Sequence, residues 1–342
     1  MSSEDKKAKT KKTFKRREST EEKKPFADAV AERLIAQLEA GTAPWIVPWK
    51  PGDPSQAGGL LPYNPTTNKR YKGINSLALM SAGFTDNRWM TFKQALAMGA
   101  CVRKGSKGTQ IQFWSTSKTA VKKGEDGEPV KGPDGKSVKE TYKLSRPLAT
   151  TATVFNAAQI DGLPEVVIKP QPEAGWAQID RAEAILKASG AQIFHDQVDQ
   201  AFYMTVADKI HMPPKAQFPE QSGYYATVFH ELGHWSGHPS RLKREMSGRF
   251  GTESYAKEEL RAEIASMIIG EELGLGHDPG DHAAYVASWI QTLRDDPLEI
   301  FRAAADAEKI LTFILDFELK LDKEPGALED EDEDELEDAL SM

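Results

Sequence analysis

His230-Glu231-Leu232-Gly233-His234 sets two histidines four positions apart with a glutamate after the first. Residues four apart share one face of a helix, so both imidazoles project together and can grip a single Zn2+. Glu231 stands beside them, placed to take a proton from water without ligating. The pattern predicts a metal-bearing helix over residues 222–234, preceded by short strands at Ala191 to Phe194, Phe202 to Val206 and Ile210 to Met212. Two of these flank an Ala207-Asp208-Lys209 turn as a hairpin. A sheet edge beside such a helix is a place to hold an extended peptide.

A catalytic zinc takes three protein ligands and keeps a position open, so a third ligand is expected elsewhere. Glu258-Glu259-Leu260-Arg261-Ala262-Glu263-Ile264-Ala265 reads as the next helix, with Glu259 and Glu263 on one face and Leu260, Ile264, Met267 and Ile268 forming the buried stripe. Glu259 is the better ligand, with Glu263 orienting a ligand histidine; on spacing alone the reverse stays open. His238 follows His234 by four residues, across a Gly237-His238-Pro239 break. It is expected to cap the helix or to support a ligand from outside, and not to ligate. The chemistry predicted is metal-assisted hydrolysis with Glu231 as base. A purely structural zinc site is the competing reading, and Glu231 argues against it. Tyr224, Tyr225, Tyr255 and His282 are open candidates for stabilising negative charge on the substrate.

The single cysteine, Cys101, excludes a disulfide framework and any cysteine-rich zinc module, and it reads as a buried small apolar residue. The net charge of −8 is unevenly spread. Residues 1–24 form a basic arm and 323–342 an acidic tail, both expected to be disordered. Between Tyr63 and Lys123 there are eleven Lys/Arg against Asp86 alone, interleaved with aromatics. That composition suits a groove that tracks phosphates and stacks bases. The residues of the right type are Trp45, Trp49, Tyr71, Lys72, Asn75, Trp89, Lys93, Arg103, Lys104 and Lys107, with Trp45 and Trp49 equally suited to a core. No run approaches the roughly 18–20 apolar residues of a membrane helix, and the N-terminus is charged, which predicts a cytoplasmic protein without a membrane partner.

Apolar spacing predicts helices at Phe26 to Leu38, Ile74 to Met80, Thr91 to Met98 and Ile179 to about Ala188. Pro44-Trp45-Ile46-Val47-Pro48-Trp49 is expected to be extended. Val102 to Arg103 and Gln110 to Trp114 are expected to be strands around a Gly105-Ser106-Lys107-Gly108 turn, residues 124–137 a polar hairpin tip or loop, and Arg146 to Phe155 a returning β run. The domains expected are 25–165 and 179–322, joined by a linker at 166–178.

These residues resemble the ArdC-type antirestriction proteins of plasmids and phages, the polyvalent-protein family. The likeness rests on Gly41-Thr42-Ala43-Pro44-Trp45, Pro48-Trp49, Tyr71-Lys72-Gly73-Ile74-Asn75, Trp89-Met90-Thr91-Phe92-Lys93-Gln94, Val102-Arg103-Lys104-Gly105 and Val154-Phe155-Asn156-Ala157-Ala158-Gln159-Ile160. Further along it rests on Asp208-Lys209-Ile210, Met212-Pro213, the histidine motif through His238, and Glu258-Glu259-Leu260. The resemblance implies an α+β chain: a mixed α/β single-stranded-DNA-binding domain, then a zincin-like metallopeptidase domain acting on an unidentified protein substrate. It also implies a role in shielding incoming mobile-element DNA from host restriction. A DNA-binding protein with a structural or inert metal domain is the alternative. The charged ends and Phe202-Tyr203-Met204-Thr205 depart from the family pattern.

Overall fold

The computed structural model describes residues 24–48, 59–124, 126–165, 176–249, 251–279 and 283–321. The expected basic arm apart from Lys24, most of the linker, the acidic tail, Trp49 and His282 lie outside them. The class is α+β, with mixed helices and small sheets.

Helix α1 (Phe26–Glu39) turns Val30, Ala31, Leu34 and Leu38 inward and stops where Gly41 takes φ +68°, a conformation that favours glycine. The Pro44 segment differs from its expected extended form. Pro44–Ile46 make one 3-10 turn, with Pro44 at its start where a missing N–H costs nothing, and Trp45 is driven inward. Strands β1 (Tyr63–Asn64) and β2 (Lys69–Arg70) pair antiparallel ahead of α2 (Ile74–Met80). Strand β3 (Trp89–Met90) leads into α3 (Phe92–Ala97), whose start is fixed by a capping box between Thr91 and Gln94.

Strand β4 (Cys101–Val102) pairs with β7 (Ile160–Asp161), whereas β5 (Thr109–Val121) pairs with β6 (Lys139–Asn156) in a long antiparallel ribbon. The strands expected on either side of Gly105 to Gly108 are present, and the turn between them links two different ladders. Cys101 is exposed, not buried, because its strand lies in a two-stranded ladder at the surface.

In the second half, α4 (Trp176–Ser189) precedes a sheet ordered β8 (Gln192–Phe194), β10 (Lys209–His211), β9 (Phe202–Met204), so β9 is an edge strand. Helices α5 (Gln221–Ser236), α6 (Glu253–Glu272), α7 (Ala283–Asp295) and α8 (Glu299–Leu321) follow, with α6 packed against each of the other three. One core cluster takes in Leu34, Trp45 and Leu77 together with Ile210, Phe229, Leu232, Ile264, Trp289 and Ile310. The N-terminal helix and the Trp45 turn thus share a core with the helices that carry the histidine motif. Arg70 reinforces the contact with a bidentate pair to Glu308 of α8, at 2.9 and 2.7 Å. Among the described residues, no helix is long and apolar enough to cross a membrane.

Candidate metal centre and nucleic-acid face

Helix α5 is held against α6, and their crossing brings His230, His234 and Glu259 together with ligating atoms within 4.8 Å of one another. The two Nε2 atoms lie 3.1 Å apart, and Glu259 reaches them at 3.5 Å (His230) and 3.4 Å (His234). Each Nδ1 faces outward to a carboxylate. His230 Nδ1 lies 3.2 Å from Glu263 and His234 Nδ1 3.2 Å from Glu258. The geometry therefore separates the two candidates on α6, with Glu259 among the converging donors and Glu263 behind His230. An imidazole whose Nδ1–H is donated to a carboxylate presents a more basic Nε2 lone pair and a fixed ring plane.

Arg244 grips Glu258 at 2.6 Å and also donates to the Gly233 carbonyl and the Ser236 hydroxyl at the end of α5. Behind Glu263 stands His277, 3.4 Å away and 1% exposed. Sequence reasoning placed none of Glu258, Arg244 and His277 at this site. Glu258 adjoins Glu259 in sequence, and only the crossing of the two helices turns it towards a histidine. His238 corrects its expectation in part: α5 ends at Ser236, and the His238 ring bonds Ser240 in the following turn instead of supporting a ligand.

A cleft of about 510 Å³ opens beside the three donors, lined by Phe202 and Tyr203 of the β9 edge, by Thr205 just beyond it, and by Tyr255 and Tyr285. The edge is held beside α5 by Asp208, which accepts from Tyr203 Oη at 2.8 Å and from Arg241 at 3.0 Å. Glu231 is 6% exposed. Burial pushes its carboxyl above the ordinary range, against the opposing pull of His230, His234 and the Tyr203 amide. The Tyr255 and Tyr285 hydroxyls lie 3.3 Å apart, and burial together with the Glu259 charge holds the Tyr255 hydroxyl protonated. Of the other charge-stabilising candidates, Tyr224 bonds His195 and Tyr225 bonds Glu183, both away from the cleft.

The expected nucleic-acid residues divide. Trp45 is 0% exposed and Trp89 1% exposed, so neither can stack on a base; each fills a core. The Asn75 side chain clamps the main chain of Gln112 at 2.6 and 2.8 Å, closing the outer edge of β5 there. Tyr71 is half-buried and donates to the Trp89 carbonyl, while Arg103 is tied to Asp161 and to the Ala158 carbonyl. Lys72, Lys93, Lys104 and Lys107 remain exposed. Within the segment from Tyr63 to Lys123 the exposed aromatics are instead Trp114 (66%), Phe92 (51%) and Phe113 (44%). Composition pointed to the segment, but not to which of its rings face water.

Two helices that supply the donors and a strand edge that borders them place this half of the chain among the zincin-like metallopeptidase folds, and residues 180–306 match the model of that family. Residues 24–155 match the N-terminal domain of anti-restriction factor ArdC, and the chain belongs to the ArdC antirestriction family. It is 35% identical to the crystallised, Mn(II)-bound antirestriction protein ArdC of plasmid R388, with a TM-score of 0.65, covering 86% of this chain and 98% of that one. A protein of Sinorhizobium fredii, y4eC, is 36% identical over 83% of this chain and 89% of its own length. The DNA primase TraC of Escherichia coli is 59% identical over 90% of this chain, a match that occupies only 21% of TraC. The chain thus spans about a fifth of that relative.

The fold family implies a divalent metal, and the residues present fit one. Bonds of about 2.0–2.2 Å at tetrahedral angles hold donor atoms roughly 3.3–3.6 Å apart. The 3.1 Å between the two histidine nitrogens lies close to that spacing, while the two oxygens of Glu259 divide between them, Oε2 at 3.5 Å from His230 and Oε1 at 3.4 Å from His234. Glu231, Glu258, Glu259 and Glu263 are all buried here, with Arg244 as the cation beside Glu258, which leaves an excess of negative charge that a divalent ion balances.

Proposed function

We propose that the chain is a single-stranded-DNA-binding antirestriction protein of the cytoplasm whose C-terminal half is a zinc-dependent metallopeptidase, protecting incoming mobile-element DNA from host restriction. The observation that carries the peptidase reading is the convergence of His230, His234 and Glu259 beside a buried Glu231 and the β9 edge. His230, His234 and Glu259 would hold the ion. When bound, it supplies Lewis acidity towards a carbonyl oxygen and a water molecule.

The chain's own groups do the rest. The β9 edge takes an extended peptide as a further strand and fixes its direction past the donors. Glu231, with its carboxyl raised by burial, accepts the proton of the attacking water and returns it to the departing amine. The protonated Tyr255 hydroxyl, steadied by Tyr285, donates to the negative charge that grows on the carbonyl oxygen.

Support for the DNA half comes from the family and from the exposed Lys72, Lys93, Lys104 and Lys107, with Trp114 and Phe92 as stacking surfaces. Glu231→Gln tests the whole reading. It is expected to retain metal and labelled single-stranded DNA while abolishing hydrolysis of the substrate. A restriction-challenge assay then decides whether cleavage matters: equal DNA protection by wild type and Glu231→Gln leaves an antirestriction protein whose peptidase is dispensable.

A further inference from the structure

The metal centre does not end at its carboxylates. His230 Nδ1 faces one oxygen of Glu263, and the other oxygen of Glu263 lies 3.4 Å from His277 Nε2. The same Nε2 lies 2.9 Å from the main-chain carbonyl of Trp45, more than two hundred residues away in sequence. Both neighbours are acceptors, so Nε2 carries the ring proton, which is donated to the Trp45 carbonyl with the Glu263 oxygen close beside it. Glu263 is 2% exposed, His277 1% and Trp45 0%, so water does not compete for these bonds.

Backbone packing commits the loop to this placement. Leu275 N–H donates to the Gly270 carbonyl at 2.8 Å, and a Cβ at Gly270 would overlap the Gly276 carbonyl oxygen, so glycine at 270 lets the chain bearing His277 lie flat on α6. Packing runs parallel to the polar contacts. Trp45 meets Trp289 edge-on at 6.5 Å, Trp289 stacks on Tyr285 at 6.0 Å, and Tyr285 reaches the Tyr255 hydroxyl in the cleft. A leucine would fill the His277 position without needing any partner. A buried imidazole anchored on the Trp45 carbonyl, with its Nε2 beside a carboxylate that faces a candidate ligand, is placed to orient that carboxylate.

We propose that His277 is a positioning residue of the metal centre, and that the Trp45 carbonyl seats it, so that the N-terminal segment completes the outer layer of the site. The inference rests on the reading that His230, His234 and Glu259 bind a divalent ion. It makes the segment ahead of the basic region part of the machinery of the metal site, and not merely its neighbour.

The test is metal affinity of the full chain, measured by competition of Zn2+ with a chromogenic chelator, together with the visible spectrum of the Co2+ form. His277→Leu is expected to weaken binding about 10–100-fold and to shift the Co2+ bands. His277→Gln, whose Nε2 can take the same donor position, is expected to stay within roughly threefold of wild type, and the His277→Leu loss should vanish in a Glu263→Gln background. If the leucine variant is insoluble, His277→Asn, too short to span the contact, takes its place with the same expectation. Wild-type affinity and spectrum in the leucine or asparagine variant, equal losses with glutamine, or losses that add in the double variant overturn the role of His277. A wild-type chain without metal affinity overturns the metal-site reading, and this inference with it.

Discussion

The Nδ1 atom of His234 lies 3.2 Å from Glu258 Oε1, on a carboxylate that Arg244 grips at 2.6 Å from the turn beyond α5. Three separate segments therefore fix one imidazole: α5 carries it, α6 supplies its acceptor, and the 244 turn holds that acceptor in place. The carboxyl of Glu258 is buried, which pushes it up, but the His234 and Arg244 contacts outweigh this and keep it ionised below the ordinary carboxylate range.

From that arrangement Glu258→Ala is expected to lower metal affinity about 10–100-fold without removing any converging donor. Glu258→Gln, which keeps an acceptor for Nδ1–H but no charge, should fall between the two. Chelator competition reads both, and an alanine variant that binds as tightly as wild type would show that the contact is mere packing.

The exposed lysines make a separate prediction through salt. For single strands, the slope of log K against log salt becomes shallower by about 0.7 for each phosphate that the protein no longer neutralises. Replacing Lys72, Lys104 and Lys107 together by Ala should therefore flatten the slope by up to about 2. Trp114→Ala should weaken binding by about 1–3 kcal/mol and leave the slope unchanged, because stacking releases no counterions. A titration of a labelled oligonucleotide at several salt concentrations separates the two, and an unaltered slope in the triple variant would move the DNA path off this face.

What the sequence made legible here follows from its periodicities. A spacing of four put His230 and His234 on one face of α5, and Glu259 with Glu263 on one face of α6, without any knowledge of how the helices cross. The turn at Asp208 and the presence of β8, β9 and β10 followed from alternation. Glu258 and His277 were not legible, since each reaches the site through a crossing angle or a loop that no local pattern encodes. The tryptophans failed for a related reason: Trp45, Trp89 and Trp114 are the same residue type in the same half of the chain, and only the tertiary core decides that the first two are enclosed while the third stands 66% exposed.

Trp45 then becomes a probe of how the chain is joined. Its ring packs in the core shared by α1 and α7 and meets Trp289, so Trp45→Ala is expected to cost about 3–5 kcal/mol of stability. Because the core is continuous, one cooperative thermal transition should shift as a whole. Retention of the wild-type Tm, or the appearance of a second transition with the metal-bearing half unaffected, would mean that the N-terminal segment is only loosely seated.

Glu271, in the last turn of α6, gives the chain a pH dependence separate from the metal centre. Its Oε1 accepts from the Leu60 amide at 2.9 Å, while its Oε2 is buried without a hydrogen-bond partner among the described residues. Burial pushes this carboxyl up to about 7, against the Leu60 and Leu61 amides that pull it down. A carboxyl whose pKa is higher in the folded chain than in the unfolded one binds protons preferentially when folded. Stability is therefore lost as pH rises from about 4.5, and the full penalty is present above about 7. Its size is roughly 3–4 kcal/mol. Glu271→Gln keeps an acceptor for the Leu60 amide and cannot ionise, so it should raise Tm by roughly 4–8 °C at pH 8 and change it little at pH 5. Taking the difference between variant and wild type at each pH cancels the titration of the histidine cluster, which both share. A Tm difference that stays constant from pH 5 to pH 8 would show that Glu271 is charged throughout and that its contact with the Leu60 loop carries no proton.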